Sequence, residues 1–199
     1  MSNGRWATFD CYGTLIDWNS GLREALGSEE LLARYHEAEP EVQREDPSLS
    51  YRDVIIESAR RIGATEPEAV ADSLPFWEPF PEVPGALEEV QGRGWRLAIL
   101  SNTDRDFIEA SMARIGVEFE LAIVAAEIGS YKPALGHWRA FEREVGKLPD
   151  VHVAASLFHD VAPAKELRLR TVWINRLGEE ADPEPNAELP TLAGLADVL

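Results

Sequence analysis

Cysteine is almost absent: Cys11 is the only one in 199 residues. That excludes an internal disulfide and suits a reducing compartment. Cations are scarce too. The chain has 19 Lys and Arg against 36 Asp and Glu, a formal net charge of -17 and a pI near 4.6. Such a field repels phosphate backbones and anionic membrane surfaces, which argues against a nucleic-acid or membrane partner. It also repels small anions at long range, so any anion site has to be a local cluster of Arg, Lys and backbone N–H groups. No stretch reaches the roughly 20 apolar residues of a membrane helix. The N-terminus runs straight into an apolar segment with no room for a signal peptide, and a cytoplasmic protein is the expectation.

What is present suits one α/β domain with a small insertion, at 45% hydrophobic residues. Trp6 to Phe9 reads as a buried strand ending on a carboxylate, Asp10. Gly13 then allows a sharp turn before the hydroxyl of Thr14. Asp10 is a nucleophile or metal ligand in this reading, against the commoner role of closing a turn. Cys11 raises the question of a catalytic thiol, but a buried small hydrophobe is the better reading.

From 17 to 81 the apolar spacing is helical, around Leu31–Glu37, Tyr51–Ile62 and Glu66–Leu74, with prolines closing the stretch. This predicts a helical insertion at 17–81 within a core made of 1–16 and 82–199. Beyond it, helix and strand alternate. Strands are predicted at Trp95–Leu100, Leu121–Val124, Val151–Phe158 and Thr171–Ile174, the last clear one. Helices are predicted at Ala86–Arg93, Asp104–Ile115, His137–Val145 and Ala164–Leu169. That pattern implies βαβ units and a doubly wound parallel sheet. The acidic, Pro-containing tail from Gly178 to Pro190 reads as a surface loop before a short terminal helix.

Asp10, Ser101-Asn102, Lys132 and Asp160 each fall at or just after the end of a different apolar strand. In an open parallel sheet those ends face one crevice. A carboxylate, a hydroxyl with an amide, an ammonium and a second carboxylate are complementary enough to form a site.

The stretch Phe9-Asp-Cys-Tyr-Gly-Thr-Leu15 resembles the first motif of the haloacid dehalogenase superfamily. The resemblance extends through Ser101-Asn102, Tyr131-Lys132-Pro133 and Asp160, and so covers nearly the whole chain. It implies a Rossmann-like core with a small helical cap after the first strand, and Asp10 as nucleophile. Lys132 would keep Asp10 ionised, and Ser101 and Asn102 would hold the substrate's anionic group. Superfamily phosphatases carry a second Asp two residues after the nucleophile. Tyr12 stands there instead, as in the 2-haloacid dehalogenase branch, where no leaving oxygen needs a proton. Arg34 resembles the cap arginine that holds carboxylate or halide, with a solvent-facing arginine as the alternative. Trp138 falls where the dehalogenases have a tyrosine near the site.

The fourth motif departs from both branches. Ala155 stands where phosphatases have their magnesium-binding Asp, leaving Asp10 and Asp160 for a cation that wants about six oxygens. No metal and no other cofactor is therefore expected, and magnesium, on Asp10 and Asp160, belongs to the phosphatase alternative. The dehalogenase Ser and Asn are replaced, with Ser156 one place along and Leu157 at the Asn position. His159 offers a base near neutrality, against a plain loop histidine. The resulting expectation is metal-independent hydrolysis of a small carboxylate, with Asp10, Lys132, Asp160 and Thr14 catalytic and Tyr12, Arg34, Ser101, Asn102 and Trp138 around the substrate. Trp18 and Trp77, with Trp138, would wall off water. A magnesium-dependent small-molecule phosphatase and a non-catalytic binding member are the competing readings. A homodimer is left open.

Overall fold

The computed structural model describes residues 4–199. Met1, Ser2 and Asn3, the first residues of the expected core and of the expected leaderless start, lie outside the described residues. The chain opens with β1 (Arg5–Phe9). Four helices follow: α1 (Trp18–Leu26), α2 (Glu29–Glu45), α3 (Tyr51–Ile62) and α4 (Pro67–Ser73), the last continued by a 3-10 turn at Leu74–Phe76. Then come α5 (Val83–Gly92), β2 (Trp95–Ser101), α6 (Arg105–Ile115), β3 (Leu121–Val124), α7 (Ala125–Ile128) and α8 (Gly136–Val145). The chain ends with β4 (Val151–Ala154), a π-helical turn (Leu157–Val161), α9 (Ala162–Glu166), β5 (Arg170–Ile174), β6 (Ala187–Leu189) and α10 (Leu195–Val198).

The six strands form one all-parallel sheet in the order β3-β2-β1-β4-β5-β6. Both faces are covered, which is why its strands read as apolar runs. On one face Ala7, Phe9, Leu97, Ile99 and Val153 join the large core with α5 and α6. On the other, Trp6, Ala98, Leu100 and Ile123 pack against Trp138 and Phe141 of α8. The order reverses between β1 and β4, the place where doubly wound sheets open a crevice. Phe9 lies level with both Ile99 and Val153, so β1, β2 and β4 end together at that crevice.

The stretch between β1 and α5 is helical. Asp17, Ser28 and Ser50 cap α1, α2 and α3, each accepting a backbone N–H in the first turn. The chain leaves and returns as a pair of segments, joined by Asp17 N–Glu78 O at 2.9 Å and Phe80 N–Leu15 O at 3.0 Å. Gly21 in α1 lies under Trp77, where even a methyl would meet the indole at 2.3 Å.

Three local expectations need correction. The strand expected over Val151–Phe158 stops at Ala154, because Ser156 Oγ accepts from His159 N at 3.0 Å and starts a helical turn. The tail read as loop contributes β6, which pairs with β5 through Val172–Ala187 to Ile174–Leu189. A helix not foreseen, α1, precedes the expected ones, with only Gly21 and Leu22 buried.

Candidate active site

Asp10 follows β1 directly, tied by its N–H to Val153 O at 3.0 Å. Gly13, at φ +86°, turns the chain back so that Thr14 Oγ1 donates to Asp10 Oδ2 at 2.8 Å. Thr14 Oγ1 also accepts from Ala155 N at 2.9 Å, fastening the turn to the end of β4. Asp10 Oδ1 accepts from Lys132 Nζ at 2.8 Å. Lys132 uses its other two protons on Asp160 Oδ1 at 2.6 Å and Leu100 O at 2.9 Å. All three donors of the ammonium are therefore taken. Asn102 holds the lysine backbone from both sides, donating to Lys132 O at 3.0 Å and accepting from Lys132 N at 2.7 Å.

The charges reinforce one another. Burial pulls the Lys132 ammonium down, but the Asp10 and Asp160 carboxylates outweigh it and hold it above the ordinary lysine value. Burial works to raise Asp160, yet Lys132 and the hydrogen bond from His152 keep its carboxyl well below the usual range. His137 Nε2 lies 3.0 Å from Ser101 O, and burial with Lys132 nearby lowers the imidazole to about 3. A neutral ring beside a carbonyl puts the proton on Nε2, which donates to Ser101 O and fixes the end of β2. Burial drives the Cys11 thiol well up and leaves it fully enclosed, so the small-hydrophobe reading holds.

Above these groups a cavity of about 710 Å³ opens between the strand ends and the helices α1 to α3. Asp10, Lys132, Asp160, Ser101 and Asn102 border it, as do Tyr12, Ser156, His159 and Trp18. The Ser101 hydroxyl is buried and has no hydrogen-bond partner among the described residues. Tyr12 turns its hydroxyl away onto Ser111 Oγ at 3.1 Å and stacks its ring on Tyr51, with centroids 6.0 Å apart. His159 Nδ1 lies 3.2 Å from Ser156 Oγ, and burial keeps the ring below its ordinary value.

Three expected residues are not at the cavity. Arg34 is exposed, because α2 turns Leu32, Tyr35, Glu39 and Val42 inward and Arg34 falls on the opposite side. Trp138 is fully buried on the other face of the sheet, edge-on to the His152 ring at 5.2 Å. Trp77 packs edge-on to Tyr12 at 6.3 Å, beneath the cavity wall.

The donor set does not suit magnesium. Both Asp10 oxygens and Asp160 Oδ1 are engaged, Ala155 has no side-chain oxygen, and an ammonium stands between the two carboxylates. Among the described residues, no three His, Cys, Asp or Glu side chains group to hold a metal ion.

A family model of haloacid dehalogenase-like hydrolases matches residues 5–155. The chain belongs to this family. Haloacetate dehalogenase H-2 of Moraxella sp. (strain B) is 33% identical over 128 residues, 61% of this chain and only 57% of that protein. (S)-2-haloacid dehalogenase of Pseudomonas sp. (strain YL) is 26% identical over 96% of this chain and 92% of its own length. The fold is shared with L-2-haloacid dehalogenase of Xanthobacter autotrophicus, with a TM-score of 0.85 at 19% identity over 98% and 97% of the two chains.

Within this haloacid dehalogenase-like hydrolase, three residues escaped the sequence reading. His152 is buried in β4 and bridges Asp160 Oδ1 and Thr8 Oγ1, at 2.9 Å each. Its signal was a lone histidine inside an apolar strand. Arg176, just past β5, sits at the same kind of strand end as the predicted groups. It donates to Thr14 O at 2.9 Å, pairs with Glu82 at 2.8 Å and lies 3.4 Å over the Phe80 ring. Glu39 borders the cavity from α2 and had no signal, being one acid in a charged helix.

Proposed function

We propose that this hydrolase releases halide from a 2-haloacid or a close relative, through an ester formed on Asp10. The observation that carries the reading is the Lys132 ammonium, bonded to both Asp10 and Asp160, beside a Tyr12 hydroxyl that points away to Ser111. An alkoxide leaving group would find no acid at Tyr12, whereas halide needs none. A haloacetate dehalogenase and an (S)-2-haloacid dehalogenase among the relatives support the same chemistry.

In this scheme an Asp10 carboxylate oxygen attacks the carbon bearing halogen from behind. The C–O bond forms as the carbon–halogen bond breaks, and halide leaves with the electron pair. Covalent catalysis divides one hard displacement into two easier steps. Lys132 and Thr14 bond one carboxylate oxygen each and aim the group, which supplies its orientation before reaction. Ser101 Oγ, buried and with no partner among the described residues, donates to the substrate carboxylate. Water then attacks the ester carbonyl, and the 2-hydroxyacid departs as Asp10 is restored. His159, neutral at pH 7 and held by Ser156, takes the proton of the attacking water and returns it to the departing alkoxide oxygen, because Asp160 Oδ1 is occupied by Lys132 and His152. No step calls for a metal ion.

The helices of 17–81 form the cap of this enzyme, and 4–16 with 82–199 its core. The partner is a small carboxylate, and one buried free thiol accords with a cytoplasmic setting. Among the described residues, no helix is long and apolar enough to cross a membrane.

The test is halide release from (S)-2-chloropropionate in the presence of a chelator, set beside phosphate release from a monoester with magnesium. Halide release insensitive to chelator is the expected result. Turnover of the phosphate ester alone would move the assignment to the phosphatases, and activity with neither would favour a binding protein.

A further inference from the structure

The reading of Asp10 as nucleophile, on which this inference rests, leaves most of the cavity unused. A haloacetate has five heavy atoms and, at water's share of about 30 Å³ each, fills about 150 Å³. The cavity holds about 710 Å³, a size suited to ligands several times larger. Its roof is also chemically specific. Glu39 borders the cavity from α2 while only 8% exposed. Its carboxyl accepts from Gln43 Nε2 at 2.8 Å and from the Tyr51 hydroxyl. Among the described residues, no lysine or arginine pairs with it.

The expected cap cation, Arg34, faces solvent on that same helix. The roof therefore offers an oxygen acceptor where a carboxylate-binding arginine was foreseen. An acceptor with unused lone pairs in a buried wall selects ligands that bring a donor. Between floor and roof, the stacked rings of Tyr12 and Tyr51 give an apolar wall for a methylene chain. Above about pH 7, where Glu39 is ionised, a second carboxylate at the far end would meet it and be repelled.

We infer that Glu39 receives a hydrogen-bond donor at the far end of the substrate, an acid whose reactive carbon lies at Asp10 and whose chain ends in a hydroxyl or ammonium group.

Calorimetric binding to the protein at pH 8, where Glu39 is ionised, tests this without any turnover. The ligands are pentanoate, 5-hydroxypentanoate, 5-aminopentanoate and glutarate, none of which carries a halogen. The hydroxy or amino acid should bind about tenfold more tightly than pentanoate, and glutarate more weakly than either. Glu39→Leu should erase the preference. Glu39→Gln keeps an acceptor oxygen without charge, so it should retain a preference for the hydroxy acid and lose one for the amino acid. Gln alone decides the matter if the Leu variant does not fold. Equal affinity for all four acids, a preference that survives Glu39→Leu, or no binding at all would overturn the inference. Halide release from 2-chloropropionate, measured in parallel, judges Asp10 separately: a donor preference without halide release sinks only the dehalogenase reading.

Discussion

The floor and the roof of the cavity each bury a carboxyl group, and the two are driven in opposite directions. Asp160, on the floor, is held well below the usual carboxylate range despite the upward push of burial, because Lys132 and His152 outweigh it. Glu39, in the roof, is raised to about 7 by burial, which its hydrogen bond from Tyr51 only partly offsets. Burial is nearly the same for both, at 1% and 8% exposed. The neighbouring charge decides the sign. The floor is thus a pre-assembled cluster in which one ammonium serves two carboxylates, while the roof holds an acid that no cation serves.

Removing the nucleophile is the largest test of that contrast. Asp10→Asn should lower halide release by about 10⁴-fold or more, and unchanged turnover would take Asp10 out of the mechanism. Lys132→Met should abolish activity and also lower stability by about 3–5 kcal/mol, since two buried carboxylates lose their cation. Urea unfolding measures it, and a loss under 1 kcal/mol would mean that the floor is not charge-coupled. His152→Leu removes one of the two groups holding Asp160 Oδ1, and a loss of about 2 kcal/mol is expected in the same assay.

The pH profiles of stability should then split. Asp160 has a depressed carboxyl, so its contribution is complete above the ordinary carboxylate value of 3.8 and is lost as pH falls through the folded value. Glu39 has a raised one. Between 4.5 and about 7 the folded state keeps a proton that the unfolded state gives up, so stability falls as pH rises through that window. Glu39→Gln should remove this slope, leaving the variant about 3 kcal/mol more stable than the parent above pH 7 and equal to it near pH 4. A slope that persists in the variant would assign it to another group. The smallest effect belongs to Arg34→Ala, expected within about 0.5 kcal/mol in stability and without loss of halide release. A large loss would bring Arg34 into the site after all.

Most of the floor is legible in the sequence. Asp10, Ser101, Asn102, Lys132 and Asp160 stand at strand ends, and strand ends in a parallel sheet have one destination. Arg176 stands at such an end too, and the same rule could have found it. The fourth motif was harder, because the apolar run Val151–Phe158 conceals a break that Ser156 makes with its side chain. The roof was hardly legible. In α2, Arg34 and Glu39 are both charges in a charged helix, and five residues apart puts them about 140° out of phase. Which of them faces the cavity depends on how the helix is rolled against its neighbours. Trp138 failed for a related reason: its helix α8 packs on the other face of the sheet, where the indole supports His152 rather than any ligand.

Sequence alone determined the alternation of strand and helix, the parallel sheet and the set of polar groups gathered at its edge. Those follow from local periodicity and from the fixed hand of βαβ connections, which leave few arrangements open. Only the tertiary structure decided that the ammonium touches both carboxylates, that a histidine stands behind one of them, and that an acid rather than an arginine looks down from the helices above. Helix roll and side-chain direction come from packing summed over many distant residues, and no short window of sequence contains that sum.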